Sequence, residues 1–120
     1  MKTILVIDDD ETILDIVKET LEQSDFVVIT AQNGEDGLKR AASDAPDGII
    51  LDIRMPGMDG DKVLEQLQAD EATKHIPVMM LTSLSRISDV SGCFDLGAKD
   101  YIVKPFSHDN LILRLNNVLS

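Results

Sequence analysis

The chain reads as an α/β domain, a doubly wound parallel sheet of five strands accompanied by five helices. Two observations predict this. Short, nearly continuous apolar runs alternate with stretches of helical period from one end of the 120 residues to the other. Such runs mark strands buried on both faces, and their alternation with helices implies a parallel sheet covered on both sides. The runs also stop at polar, chemically capable residues, as strands do when side chains gather along one edge of a parallel sheet. No linker, repeat or low-complexity segment interrupts the pattern, so residues 1–120 are taken as a single domain.

Each element has its own warrant. Residues 3–7 form the first strand, through Ile4-Leu5-Val6-Ile7. A helix over 11–23 follows, with Ile13, Leu14, Val17 and Leu21 at helical spacing, Asp10 as its cap and Glu11 at its positive end. The run Phe26-Val27-Val28-Ile29-Thr30 is the second strand, Asn33-Gly34 a turn, and 35–43 a second helix carrying Leu38, Ala41 and Ala42. Residues 48–52 make the third strand. The loop Met55-Pro56-Gly57-Met58-Asp59-Gly60 is shaped by its proline and glycines. A third helix spans 61–69 with Val63, Leu64 and Leu67 inward, and the fourth strand is 77–82. A fourth helix over 86–96 contains Ser88, Ser91 and Gly92, all weak helix formers, and Gly97 ends it as a left-handed cap. The fifth strand is 100–103. Ser107 caps a last helix over 108–119, with Leu111, Leu115, Val118 and Leu119 on its inner face.

Composition narrows the function. Apolar residues make up 43% and charged residues 28%, ordinary proportions for a globular domain. No apolar run approaches the ~20 residues that span a bilayer, and the apolar start is too short for a secretory signal, so the chain is read as cytoplasmic. The single Cys93 fits a reducing compartment and is read as a small apolar filler. A net charge of −11 without any basic run argues against direct nucleic-acid binding.

The strand ends carry the chemistry. Asp8 and Asp9 follow the first strand, Asp52 ends the third, Thr82 and Ser83 end the fourth, and Lys104 follows the fifth. Three converging carboxylates repel one another, and a divalent cation relieves that repulsion. Oxygen-only ligands in small number favour Mg²⁺, and a backbone carbonyl near Arg54 can complete the shell. Mn²⁺ suits the same donors. A carboxylate beside such a cation is a phosphoryl acceptor, with Lys104 and Thr82 placed to stabilise the transferred charge. Taken singly, each residue has a plainer role: Asp10 a helix cap, Thr82 a loop hydroxyl, Lys104 a surface charge, Tyr101 a half-buried strand residue. Their joint occurrence in order at strand ends carries the reading.

On these residues the sequence resembles the receiver domain of two-component response regulators over its whole length. The resemblance rests on Ile4-Leu5-Val6-Ile7-Asp8-Asp9-Asp10, Leu51-Asp52-Ile53-Arg54-Met55-Pro56-Gly57-Met58-Asp59-Gly60, Leu81-Thr82-Ser83 and Gly97-Ala98-Lys99-Asp100-Tyr101-Ile102-Val103-Lys104-Pro105-Phe106. It implies a flavodoxin-like sheet of order 2-1-3-4-5 and a phosphoryl group received by Asp52 from a histidine kinase or histidine phosphotransfer protein. It further implies Mg²⁺ held by Asp8, Asp9, Asp52 and the carbonyl of Arg54, with Thr82 and Lys104 on the phosphoryl group. A cis Lys104-Pro105 bond and an aromatic switch at Tyr101 are implied too. Tyr101 would turn inward as Thr82 moves, altering the face of helix 4, strand 5 and helix 5 toward a downstream protein or output domain. Such a domain, a monomer or weak dimer, would act as a phospho-acceptor rather than as an enzyme. It would stand alone or come from a larger regulator or hybrid kinase.

Two positions depart from the common pattern. Arg54 and Leu84 are expected to flank the mouth of the site and restrict the attacking water, with Arg54 paired to an acid such as Glu11. An enzymatic alternative also exists: Asp8-Asp9-Asp10-Glu11-Thr12 fits the opening motif of haloacid-dehalogenase-type phosphatases, with Asp8 as nucleophile and Asp10 as acid/base. It leaves Asp52 and the loop at 55–60 unexplained, no acidic pair follows Lys104, and the chain is short for that fold. A calcium loop fails because its glycine position is Ile13. A flavodoxin-like cofactor binder would need a phosphate-cradling loop where this chain has acids.

Overall fold

The computed structural model describes residues 1–120. Its elements run β1 (Thr3–Ile7), α1 (Glu11–Gln23), β2 (Val27–Ala31), α2 (Gly34–Asp44), β3 (Gly48–Asp52), α3 (Gly60–Ala69), β4 (Val78–Ser83), a 3₁₀ segment (Leu84–Asp89), α4 (Val90–Asp95), β5 (Asp100–Lys104) and α5 (His108–Leu119). The five strands are parallel in the order β2-β1-β3-β4-β5.

Strand periodicity divides the core into two layers. Leu5, Ile7, Ile49, Leu51, Val78 and Met80 face α2, α3 and α4. Ile4, Val6, Ile50, Met79, Leu81 and Ile102 face α1 and α5, where they meet Leu14, Val17, Leu21, Leu111 and Leu115. Every residue of β3 is buried, whereas the edge strand β2 is largely half-exposed. Each large aliphatic side chain enclosed in these layers is worth roughly 1.5–3 kcal/mol, so the central strands anchor the sheet.

Helix starts follow the local chemistry. Asp10 accepts from the Thr12 N–H, and Ser107 accepts from that of Asn110, as expected of caps. Asn33 is also a cap, accepting from the Asp36 N–H; the turn predicted at Asn33-Gly34 is the first step of α2. Ala42 lies on the exposed side of that helix, while Ala41 is buried. The predicted helix over 86–96 is the main correction. A 3₁₀ segment takes up residues 84–89 and only 90–95 are α-helical, Ser91 and Gly92 among them; no residue of the 3₁₀ segment is buried, so no packing holds that stretch in an α-helix. Gly97 follows with φ of +107°, where only glycine is comfortable. The Lys104-Pro105 bond is cis.

Candidate functional site

Sheet register assembles the site. Ile7 lies opposite Leu51, so Asp8 and Asp52 emerge side by side from β1 and β3. Asp52 lies opposite Leu81 and Thr82 opposite Val103, which brings Thr82 and Lys104 one step further along the same edge. The winding reverses between β1 and β3, where open parallel sheets leave a crevice beyond the strand ends. There a cavity of about 260 Å³ is lined by Asp8, Asp9, Asp52, Thr82, Lys104 and Arg54, among others.

The acids converge as the sequence predicts. One carboxylate oxygen from each of Asp8, Asp9 and Asp52 lies within 4.8 Å of the others, with Asp8 and Asp52 buried and Asp9 exposed. Asp8 is fully enclosed; it accepts from the Asp10 N–H at 3.0 Å and from the Lys104 ammonium at 3.1 Å. The same ammonium reaches Asp52 at 3.3 Å. Burial, then the charge of Asp8, pushes the Asp52 carboxyl up to about 7, against the pull of Lys104. Burial disfavours the charge on Lys104, but Asp52 and Asp8 hold its proton more firmly than usual. Such a set can hold a hard cation through oxygen donors or receive a phosphoryl group, and the opposed charges pre-orient the acceptor.

The remaining site residues stand apart from this cluster. Thr82 is buried, and its hydroxyl donates to the Ser83 carbonyl at 3.1 Å. Tyr101 is half-buried, packed edge-to-face on Phe94 with centroids 6.2 Å apart and covered by the Arg114 guanidinium at 5.5 Å. Asp10 serves α1 as its cap, its carboxylate accepting from the Thr12 N–H. Cys93 is buried, and burial followed by the charges of Asp61 and Asp89 pushes its thiol up, in keeping with a filler.

Arg54 corrects an expectation. It does not meet Glu11, which instead accepts from Gln32 at 2.8 Å. Its guanidinium lies 3.4 Å from Asp59 and 3.6 Å from Asp89. Leu84 is exposed at the start of the 3₁₀ segment and does not line the cavity; Arg86 does. Asp89 and Arg86 are the residues that sequence reasoning missed, and the contacts of Asp59 and Gly60, named only as part of a shaped loop, were not read from it. Asp59 reaches back four residues to accept from the Met55 N–H at 3.0 Å, a reach legible in a loop of Pro and Gly. Gly60 sits so close to β3 that a β-carbon would collide with the Asp52 carbonyl oxygen. Nothing local announces Asp89, which arrives from another element.

Comparisons with known proteins agree with this geometry. The family model described as the response regulator receiver domain matches residues 4–116. The chain is 42% identical over 119 residues to the DNA-binding dual master transcriptional regulator RpaA of Synechocystis sp., covering 99% of this chain and 49% of RpaA. It is 40% identical over 118 residues to the alkaline phosphatase synthesis transcriptional regulatory protein PhoP of Bacillus subtilis, covering 98% of this chain and 48% of PhoP. The chain thus spans about half the length of these curated relatives. Among solved structures, the chemotaxis protein CheY4 of Vibrio cholerae superposes with a TM-score of 0.93 at 31% identity, covering 99% of both chains. No helix is long and apolar enough to cross a membrane. The acidic crevice at the reversal of the sheet and these likenesses agree on one conclusion: the chain belongs to the response regulator receiver domain family, the phospho-accepting modules of two-component signalling.

Proposed function

We propose that Asp52 is the phosphoryl acceptor of this receiver and that the group comes from a phosphohistidine of a histidine kinase or histidine phosphotransfer protein. The observation that carries this reading is the setting of Asp52 at the centre of the sheet edge, between the acids of β1 and the Lys104 ammonium. An Asp52 oxygen forms a bond to phosphorus as the phosphorus–nitrogen bond breaks; the electron pair returns to the imidazole, which is protonated there. Lys104 stabilises the spread negative charge, and the Thr82 hydroxyl leaves the Ser83 carbonyl for a phosphoryl oxygen.

Asp8, Asp9, Asp52 and the backbone carbonyl of Arg54 would hold Mg²⁺, with Mn²⁺ as a substitute. Three clustered acids, of which one ammonium meets only Asp8 and Asp52, and the raised Asp52 carboxyl support that fit. When bound, the ion supplies positive charge at the transferring oxygens. Movement of Thr82 would draw Tyr101 inward from Phe94 and Arg114, altering the α4–β5–α5 face for a downstream protein or output domain. Arg54 would restrict the attacking water. Residues 1–120 act on this reading as one cytoplasmic receiver domain, monomeric or weakly dimeric, that accepts a phosphoryl group rather than turning over a substrate.

A panel of phosphorylated histidine kinases, incubated with the protein and Mg²⁺, provides the test. Mass spectrometry should find one phosphoryl group on Asp52, Asp52→Asn should abolish uptake, and Arg54→Ala should shorten the lifetime of the phosphorylated form. Phosphate on Asp8 instead would sink the reading in favour of a phosphatase-like mechanism.

A further inference from the structure

Arg54 belongs to two cavities. One is the acidic pocket; the other is a groove of about 560 Å³ beside α3 and the 3₁₀–α4 segment, lined by Ile53, Asp59, Asp89, Cys93 and Leu96 among others. The guanidinium is tied to acids of the groove alone, Nη1 to Asp59 Oδ2 at 3.4 Å and Nε to Asp89 Oδ2 at 3.6 Å. Asp59 has another partner, the Met55 N–H. Asp89 Oδ2 is enclosed and makes no hydrogen bond, so its only ion pair is the loose one to Arg54.

We propose that Arg54 exchanges partners between Asp89 and the phosphoryl group. While Asp52 is bare, Arg54 holds Asp89, and with it the 3₁₀ segment and the start of α4, against the β3–α3 loop. Once Asp52 is phosphorylated, the guanidinium passes to the phosphoryl oxygens and Asp89 is released. This rests on Asp52 being the acceptor. The arms of the exchange are unequal. The Arg54–Asp89 pair is half-exposed, with side chains 50% and 36% accessible, and exposed pairs contribute little. A phosphoryl group offers more charge and a geometry that guanidinium matches with paired N–H donors. A released Asp89 must find water for its enclosed oxygen, which favours movement of its segment. That segment has little to hold it: no residue of Leu84–Asp89 is buried, and six residues is long for a 3₁₀ run.

The test uses beryllofluoride with Mg²⁺ as a phosphoryl mimic on the full chain. Amide exchange over residues 84–95 should rise severalfold when the mimic binds the wild type. It should already be raised without the mimic in Arg54→Ala and in Asp89→Asn. On mimic affinity, read by calorimetry, the two variants should move oppositely: Arg54→Ala weakens it, by roughly tenfold, whereas Asp89→Asn tightens it by freeing the guanidinium. Arg54→Lys, which keeps the charge but loses the fork, should fall between Ala and wild type. A purely structural tie would shift both affinities in the same direction, and that result, or unchanged exchange in Arg54→Ala, overturns the proposal. If the wild type takes up no mimic, the acceptor reading falls and the exchange with it. If it binds but the variants do not diverge, only the exchange fails.

Discussion

At the scale of single residues, the site is a problem in charge balance. Asp8 has its backbone and ammonium partners, but Asp52 has only part of the Lys104 charge and is enclosed beside Asp8. Its carboxyl therefore titrates near 7 in the folded chain and in the ordinary carboxylate range when unfolded. Between those values the native state binds the extra proton, so stability falls as pH rises through that window and the full penalty stands above it. Asp52→Asn should accordingly be more stable than wild type above about pH 7, by roughly 1–3 kcal/mol without divalent ions. The difference should close toward pH 4, below which the unfolded chain is protonated too. Urea denaturation in chelator at several pH values checks this; a penalty that grows on acidification would contradict the assignment.

At the scale of elements, the β3–α3 connection is built to hold Asp52 still while its neighbour stays loose. The Gly60 N–H donates to the Ile53 carbonyl at 2.7 Å, and the Asp59 carboxylate fastens Met55 and Arg54. Gly60→Ala forces a methyl against the Asp52 carbonyl, and should cost about 1–3 kcal/mol, as overpacking does. Thermal denaturation measures that loss, and phosphoryl uptake should fall in parallel. Across the groove, the 3₁₀ segment and the short α4 carry exposed Leu84, Ile87 and Phe94 and only Val90 and Cys93 as buried anchors. A segment with so few anchors opens at lower free energy than α1 or β3, which suits it to respond to the site.

At the scale of the molecule, binding and stability are linked. A cation that binds the folded acid cluster and not the unfolded chain must stabilise the fold by RT ln(1 + [L]/Kd), about 1.4 kcal/mol at tenfold excess over Kd. Mg²⁺ should therefore raise the melting temperature by a few degrees where the same ionic strength of NaCl does not, and Asp9→Asn should remove most of that rise. Asp9 is the informative position because it is exposed and makes no ion pair of its own, so its replacement alters the acid cluster without opening the core.

Much of this was legible in the chain itself. The bounds of β1, α1, β3 and α5 follow directly from apolar period and caps, because those signals are local. The order of acids, hydroxyl and lysine along the strand ends likewise identifies the pocket residues, since a parallel sheet brings strand ends to one edge. The fourth helix starts later than its sequence predicts because no side-chain cap or buried residue fixes its N-terminal end, whereas Gly97 marks its C-terminal end. Arg54 pairs with Asp59 and Asp89 rather than with Glu11 because a long cation meets the acids nearest in space, which sequence order does not give. Sequence alone thus determined which residues meet at the sheet edge, through periodicity and strand order. The tertiary structure alone decided that Asp52 is held near neutrality by burial against Asp8, and that Arg54 faces Asp89. Both depend on distances across elements that no local pattern encodes.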